Sequence, residues 1–466
     1  MDTLQALKLL QKETKAHVFF VGGFVRNYIR NKKNDNLSIV ICKLDKNAII
    51  NFLNKYGKCR VVKSDDIYKN NTILFRASND KLEAQMSLPR RGKTHIIDKD
   101  NTLRQDSKCR DFKINALYLP INFKSKGDII DPAGGLYDIK SRTINYTTSY
   151  FYKSPIRILR AFSLMAETGY KLNKDLKRIL KENKSKLLYV SDRQIDSCND
   201  MRKELNKILL SNKPSVCLKL MQKLGILTYV IPELNRCVDV KQDARYHKYD
   251  VFHHCIFTCD NIEPTLVLRL AAVLHDVGKA DTRKIIKGRV TFYKHEIASV
   301  RRAHAFLNRF RYDGHIKEGV LSLVRMHMYH YTREFTDTAV RRFIKRAGIN
   351  KENIKNLSEL PLFKLRAAER LGNGLKKDPV TPKQVSFEKR IKKLFDGDVE
   401  KKININIDIN SNIITQTFNV PPGKEVDKIL DYLTARVKLN GKLNNRIDLV
   451  QITLQYVKNK KYLKKY

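Results

Sequence analysis

Two groups of residues in this 466-residue chain have the types and spacing for chemistry on phosphates. One is rich in histidine: His254 in DVFHHCIF, the doublet His275-Asp276 in LRLAAVLHDVGK, His295 in FYKHE and His327 in LVRMHMYH. Adjacent His and Asp residues on one helix cannot both point into an apolar core, so a doublet inside a hydrophobic run asks for a polar role. Imidazole with carboxylate suits Mn, Fe, Ni, Co or Zn and does not choose among them. The other group is glycine-rich and basic: Gly22-Gly23-Phe24-Val25-Arg26, then Arg110-Asp111 with Asn115, then Arg157 and Arg160. A glycine turn between a strand and a helix offers backbone N–H groups that cradle phosphates, and Arg26 would neutralise their charge.

These residues need elements to hold them. The runs 17–22 (HVFFVG) and 37–42 (LSIVIC) are β-branched and aromatic and predict two strands of a mixed sheet, joined through a glycine turn and a helix. Beyond about residue 150 apolar residues recur at helical spacing over 155–170, 200–225, 265–278, 295–311 and 317–330, which predicts an almost wholly α-helical remainder. The fold class expected is therefore α+β, a sheet-bearing head followed by helical domains. Pro379, Pro382 and many lysines interrupt the periodicity and mark a linker, and KNKKYLKKY ends the chain as a basic tail. The eight cysteines have no CxxC pair and predict reduced, mostly buried thiols. Cys255 and Cys259, four apart, read as core packing.

Further motifs accompany the glycine turn: RDFKINA at 110–116, DPAGGLYD at 131–138 and SPIRILRA at 154–161. In this order the set resembles the head and neck of the bacterial tRNA nucleotidyltransferase (CCA-adding) and poly(A) polymerase family, class II. The resemblance continues more weakly into PPGKE at 421–425 and LNNR at 443–446. It implies template-independent nucleotide addition with Mg²⁺ held by an Asp-x-Asp pair on the strand after the glycine turn. Those positions here are Asn36 and Ser38, which leaves Mg²⁺ without its two carboxylates. Asp35 is one residue early, and alternation along a strand turns it to the opposite face. Glu83, in LEAQMS, stands at the place of a further family acid. Other departures are Asn27 for the family's Asp, Cys109 for an arginine, and Lys153-Ser154 for the acid that works with Arg157 on the incoming base. Gly22, Gly23, Arg26, Arg110, Asp111, Asn115, Arg157 and Arg160 remain, either to hold a nucleotide or RNA end or to form salt bridges between head and neck.

The histidine motifs resemble the HD phosphohydrolase superfamily, which implies a divalent transition metal on His254, His275 and Asp276. Glu369, in LRAAERLG, takes the place of the family's distant Asp, with His295 and His327 as additional candidates. His247, His253, His304, His315 and His330 match no motif. The resulting plan is a head over 1–145, a helical neck over 146–235, an HD-like domain over 236–375, a linker over 376–395 and a C-terminal helical region over 396–466.

Lys and Arg number 92 against 48 Asp and Glu, a formal net charge of +44, so a polyanion is the expected partner. No run of 18 apolar residues occurs, which favours a cytoplasmic nucleic-acid binder over a membrane protein. RNA, and tRNA within it, fits the resemblance. DNA stays open because phosphate contacts alone do not distinguish the two. Three functions follow: a binding protein that has lost nucleotide addition, a working CCA- or poly(A)-adding enzyme that uses Asp35 and Glu83, and a metal phosphohydrolase. Metal identity and oligomeric state are not encoded in these motifs.

Overall fold

The computed structural model of the protein describes residues 1–33, 37–62, 72–92, 96–148, 151, 154–188, 195–329, 336–403 and 407–459. Asp35, Asn36, Lys153, His330 and residues 460–466 of the tail lie outside that set. The chain forms two compact units, one of residues 1–330 with 358–380 and one of residues 331–357 with 381–466.

The first unit opens with the helix Thr3–Glu13, whose N-terminus is closed by Asp2 and Gln5 exchanging side-chain and backbone hydrogen bonds. Strands β1 (His17–Val21), β2 (Leu37–Cys42), β3 (Gly57–Val62), β4 (Thr72–Ala77), β5 (Ala84–Ser87) and β6 (Tyr118–Pro120) build one sheet in the order β3-β4-β5-β2-β1-β6. Only β2 and β5 run parallel, with Ser38 beside Gln85. Alternation sorts β2 cleanly. Leu37, Ile39 and Ile41 enter a core shared with Val18, Phe20 and Phe75 and with Leu7 and Leu10 of the first helix. Ser38, Val40 and Cys42 take the other face, where Val40 and Cys42 meet Val21 and Tyr118.

Beyond the sheet the chain is mainly helical, as the 3.6-residue period predicts. Ile156–Thr168, Ile195–Leu209, Pro214–Lys223, Val251–Asp260, Leu266–Leu274, His295–Arg309, Gly314–Met326 and Pro361–Gly372 are helices of this unit. One departure is a β-hairpin, Lys284–Ile286 with Arg289–Thr291, too short to leave a periodic signature. Cys255 and Cys259 are fully buried, as packing residues should be, and among the eight thiols only Cys59 is partly exposed.

In the second unit, Ile414, Phe418, Ile429, Leu433 and Leu449 are buried where Ser411–Phe418, Lys424–Leu439 and Arg446–Asn459 meet. The segment expected as a linker over 376–395 differs from expectation, since a helix runs Pro382–Ile403. Pro382 is its first residue, where a missing N–H breaks no intrahelical bond, so the proline starts the helix rather than interrupting it. No helix among the described residues is long and apolar enough to cross a membrane.

Candidate nucleotide cavity and histidine centre

Gly22 closes β1 with φ of 70°, a left-handed turn that glycine adopts without strain, and caps the helix Gly23–Ile29 that carries Arg26. Around this turn lies a cavity of about 400 Å³. It is lined by Gly22, Gly23, Arg26, Ser38, Arg110, Asp111, Asn115, Arg157 and Arg160, and also by Gln85, Arg90, Ser163, Glu167 and Glu204. Gly22, Gly23, Arg26, Arg110, Arg157 and Arg160 are thus brought to one place.

Most of these cations are already engaged. Arg26 is buried, donates to Asn115 Oδ1 at 2.6 Å and pairs with Glu167 of the neck helix Ile156–Thr168. Burial lowers its pKa, against the opposing pull of Glu167. Arg157 donates to the Cys109 carbonyl at 2.8 Å. Arg110 donates to Asp106 at 2.8 Å, and the same carboxylate accepts from Arg90 at 3.0 Å and from the Tyr118 hydroxyl at 2.7 Å. Burial alone would raise the Asp106 pKa, but Arg110 and Arg90 hold it well below the carboxylate range. Asp106 carries this network, and its only trace in the sequence is its place four residues before Arg110. Arg160, about a third exposed, donates to Asp111 Oδ2 at 3.2 Å and is the guanidinium best placed to turn toward a ligand. The arginines line the cavity, and Arg26, Arg157 and Arg160 also join head to neck.

Asp111 yields a pH prediction. Burial pushes its carboxyl up, yet Arg160, Arg157 and the bonds from the Phe112 N–H and Asn115 bring it down to about 2. A depressed carboxylate adds stability above its unfolded pKa and loses it as pH falls toward the folded value. The pairing should contribute about 2 kcal/mol at neutral pH, disappearing between about pH 4 and pH 2. Asp111→Asn should therefore lower the melting temperature at pH 7 and narrow its gap to the parent at pH 2. Parallel melting at every pH would rule out this contribution.

Among the described residues, the donors around the cavity do not fit a Mg²⁺ pair. Ser38 offers a hydroxyl and Gln85 an amide, while Asp111, Glu167 and Glu204 are committed to Arg160, Arg26 and Lys207. Glu83 does not line the cavity; it pairs with Arg60 at 2.8 Å. Position 83 lies one residue ahead of β5, and the side chain that β5 turns into the cavity is Gln85. Ser154 is buried.

The second site lies among helix ends. His254 comes from the first turns of Val251–Asp260, His275 caps Leu266–Leu274 with Asp276 following, His295 opens His295–Arg309 and His327 caps Gly314–Met326. Gly278 permits this convergence, because a Cβ there would stand 2.3 Å from the Ser299 nitrogen and 2.5 Å from the His295 carbonyl. His254 Nε2 and His275 Nε2 lie 3.4 Å and 3.3 Å from Asp276 Oδ2, and His295 Nε2 and His327 Nε2 lie 3.1 Å and 3.4 Å from Oδ1. One buried carboxylate therefore joins two histidine pairs, each triad with metal-ligand spacing.

The donor set fits divalent transition ions. Both Asp276 oxygens are buried, and among the described residues Oδ1 has no well-formed hydrogen bond while Oδ2 meets only the Lys279 ammonium at short range. His275, His295 and His327 each engage a backbone carbonyl through Nδ1, at 2.7–2.8 Å, which leaves Nε2 with its lone pair toward the centre. Burial, then the neighbouring His275, pushes His254 down to about 3, so it is a neutral donor. His295 and His327 join as full members, while Glu369, expected as the fourth ligand, belongs to neither triad. Its carboxylate pairs with Arg366 at 2.9 Å. Burial would raise its pKa, but Arg366 and His275 hold it at about 2. Arg366, three residues earlier on the same helix, is thus its ion-pair partner, while His275 and His327 lie near enough to act on its charge. His247, without a motif, sets its ring against His254 with centroids 5.4 Å apart. Lys279, three residues past Asp276, holds its ammonium 2.7 Å from Oδ2 and 2.9 Å from the Gln242 side chain.

Comparison with known proteins matches the regions that carry these residues. Residues 18–145 match the poly A polymerase head domain, 201–237 the probable RNA and SrmB-binding site of polymerase A, and 247–381 the HD domain. A multifunctional CCA protein of Cupriavidus necator is 26% identical over 339 residues, covering 71% of this chain and 80% of its own. One from Neisseria meningitidis is 26% identical over 335 residues, 70% of this chain and 76% of its own. The crystal structure of the Bacillus stearothermophilus CCA-adding enzyme in complex with CTP shares the fold across 98% of both chains, with a TM-score of 0.59 at 17% identity. With its head-and-neck motifs, its cavity and its histidine centre, the chain belongs to the bacterial tRNA nucleotidyltransferase and poly(A) polymerase family that carries an HD domain.

Proposed function

We propose that this protein binds RNA, with tRNA as the favoured class, through the head-and-neck cavity, and that it does not add nucleotides at enzymatic rates. The observation that carries this reading is Ser38 on the cavity wall, where the family resemblance calls for a carboxylate. Gly22, Gly23 and the arginine set retain what holds a phosphate, and the +44 charge supplies the attraction. Affinity should then fall steeply with salt, log affinity dropping by roughly 0.7 per neutralised phosphate on a single strand and 0.9 on duplex DNA for each unit of log salt. Competition among tRNA, single-stranded RNA and duplex DNA for one labelled probe tests the partner. Clear preference for tRNA supports inherited shape recognition, and equal competition would reduce the reading to charge alone.

A second reading has its own observation, the two triads sharing Asp276. It makes the HD centre a phosphoester hydrolase. Divalent ions there would lower the pKa of water and neutralise phosphate oxygens. His254, His275, His295 and His327 would hold them, Asp276 would tie the two positions together, and Lys279 would supply a cation that can swing from Asp276 to a phosphate oxygen.

A further inference from the structure

Beside the histidine centre stands a feature that neither reading uses. The hairpin Lys284–Ile286 with Arg289–Thr291 turns at Lys287-Gly288, with φ of 48° and 71°. Such two-residue turns match the twist of their strands, but an isolated hairpin is marginally stable in water. Lys284, Ile285, Ile286 and Arg289 are exposed, Ile285 to 63%. Residues 283–294 contain Arg283, Lys284, Lys287, Arg289 and Lys294 and no acid. Among the described residues no carboxylate pairs with Lys284, Lys287 or Lys294.

The hairpin leads straight into the centre. Phe292 accepts from His295 Nδ1 through its carbonyl, and its ring carries the Lys279 ammonium 5.3 Å from the centroid. The next residue, Tyr293, is 72% exposed. On another approach Tyr246, 58% exposed, precedes His247, the residue whose ring edges His254. Arg283 joins the two approaches by donating to the Lys241 carbonyl at 3.4 Å. Exposed aromatic rings among unpaired cations take single-stranded nucleic acid, since each base has a face to stack and each phosphate a charge to neutralise. A duplex keeps its bases stacked on each other and leaves the rings nothing to bind.

We propose that the 283–294 hairpin and Tyr246 form a platform that delivers single-stranded RNA to the histidine centre, making a polynucleotide strand, rather than a free nucleotide, its substrate class. The proposal rests on the phosphohydrolase reading of that centre for its purpose, but its test does not.

The chain contains no tryptophan, so Tyr293→Trp places a single tryptophan, excited selectively at wavelengths too long for tyrosine, on the platform of the full protein. Oligoadenylate about a dozen nucleotides long is titrated in, with duplex RNA of equal length in parallel and a labelled copy of the oligonucleotide to follow total binding by anisotropy. Saturable quenching by the single strand is expected, weaker quenching by the duplex, and a half-saturation point raised about tenfold by Tyr246→Ala in the same background, the size expected for one stacked base. If anisotropy saturates while the tryptophan emission is unmoved, RNA binds elsewhere and the proposal falls. Equal quenching by duplex with no effect of Tyr246→Ala would also overturn it, leaving charge alone. Hydrolysis of p-nitrophenyl phosphate by the unsubstituted protein, assayed separately with Mn²⁺ or Ni²⁺, reports on the centre itself. Quenching without hydrolysis keeps the platform and removes the hydrolase reading; hydrolysis without quenching does the reverse.

Discussion

Incubated with Mg²⁺, CTP, ATP and a tRNA lacking its 3′ end, the purified protein is expected to leave the RNA unextended. Each ion of a two-metal site supplies several kcal/mol of transition-state stabilisation, and about 1.4 kcal/mol is a factor of ten in rate. Losing both metal carboxylates should therefore reduce addition by at least about 10⁴-fold. The described donors concur, since Ser38 and Gln85 bring no negative charge to the cavity and its acids are held by cations. Asn36→Asp with Ser38→Asp should restore Mg²⁺ binding before it restores turnover, because the Cys109 and Ser154 substitutions persist. Extension at ordinary enzymatic rates, abolished by Asp35→Ala, would reverse this conclusion.

The second large effect belongs to Asp276. Protein prepared without chelator should carry about two transition-metal ions per chain, one for each triad. Asp276→Ala should lose both, together with hydrolysis of p-nitrophenyl phosphate, a fall on the order of 10³-fold or more given what a metal supplies. His254→Ala and His327→Ala should each lose one ion, and they should differ in which. The Oδ1 side has two carbonyl-anchored imidazoles, whereas on the Oδ2 side His254 Nδ1 has no hydrogen-bond partner among the described residues and the Lys279 ammonium sits 2.7 Å from the shared carboxylate. The His295 and His327 side should fill first in a metal titration followed by elemental analysis. A single equivalent that survives His327→Ala would eliminate the Oδ1 triad as a site.

Strand β2 was legible because its β-branched run is buried on both faces, and the long helices because their apolar stripes face a core. The hairpin at 284–291 was not, since its side chains face solvent and obey no burial pattern. At the centre, the His-Asp doublet stood out as polar residues inside an apolar run of sequence. Which distant residues meet it depends on where helix ends converge, and that is a property of packing. Hence His295 and His327 were only additional candidates, and the pairing of Glu369 with Arg366 left no mark in the motif. Asp106 escaped for a related reason: an acid four residues before an arginine is common on helix surfaces, and only burial makes it the pivot of a network.

The carbonyls that orient His275, His295 and His327 belong to Ala272, Phe292 and Val324, each three residues earlier in the same chain segment. The groups that fix the ligand tautomer are thus main-chain atoms, present whatever side chain the residue bears. An alanine scan around the centre would pass over them, because replacing Phe292 or Val324 leaves the acceptor in place. Sequence drift passes over them as well. A centre held in this way tolerates wide change in its surroundings so long as these three turns persist, and it is vulnerable chiefly to insertions, deletions or prolines that alter the local backbone.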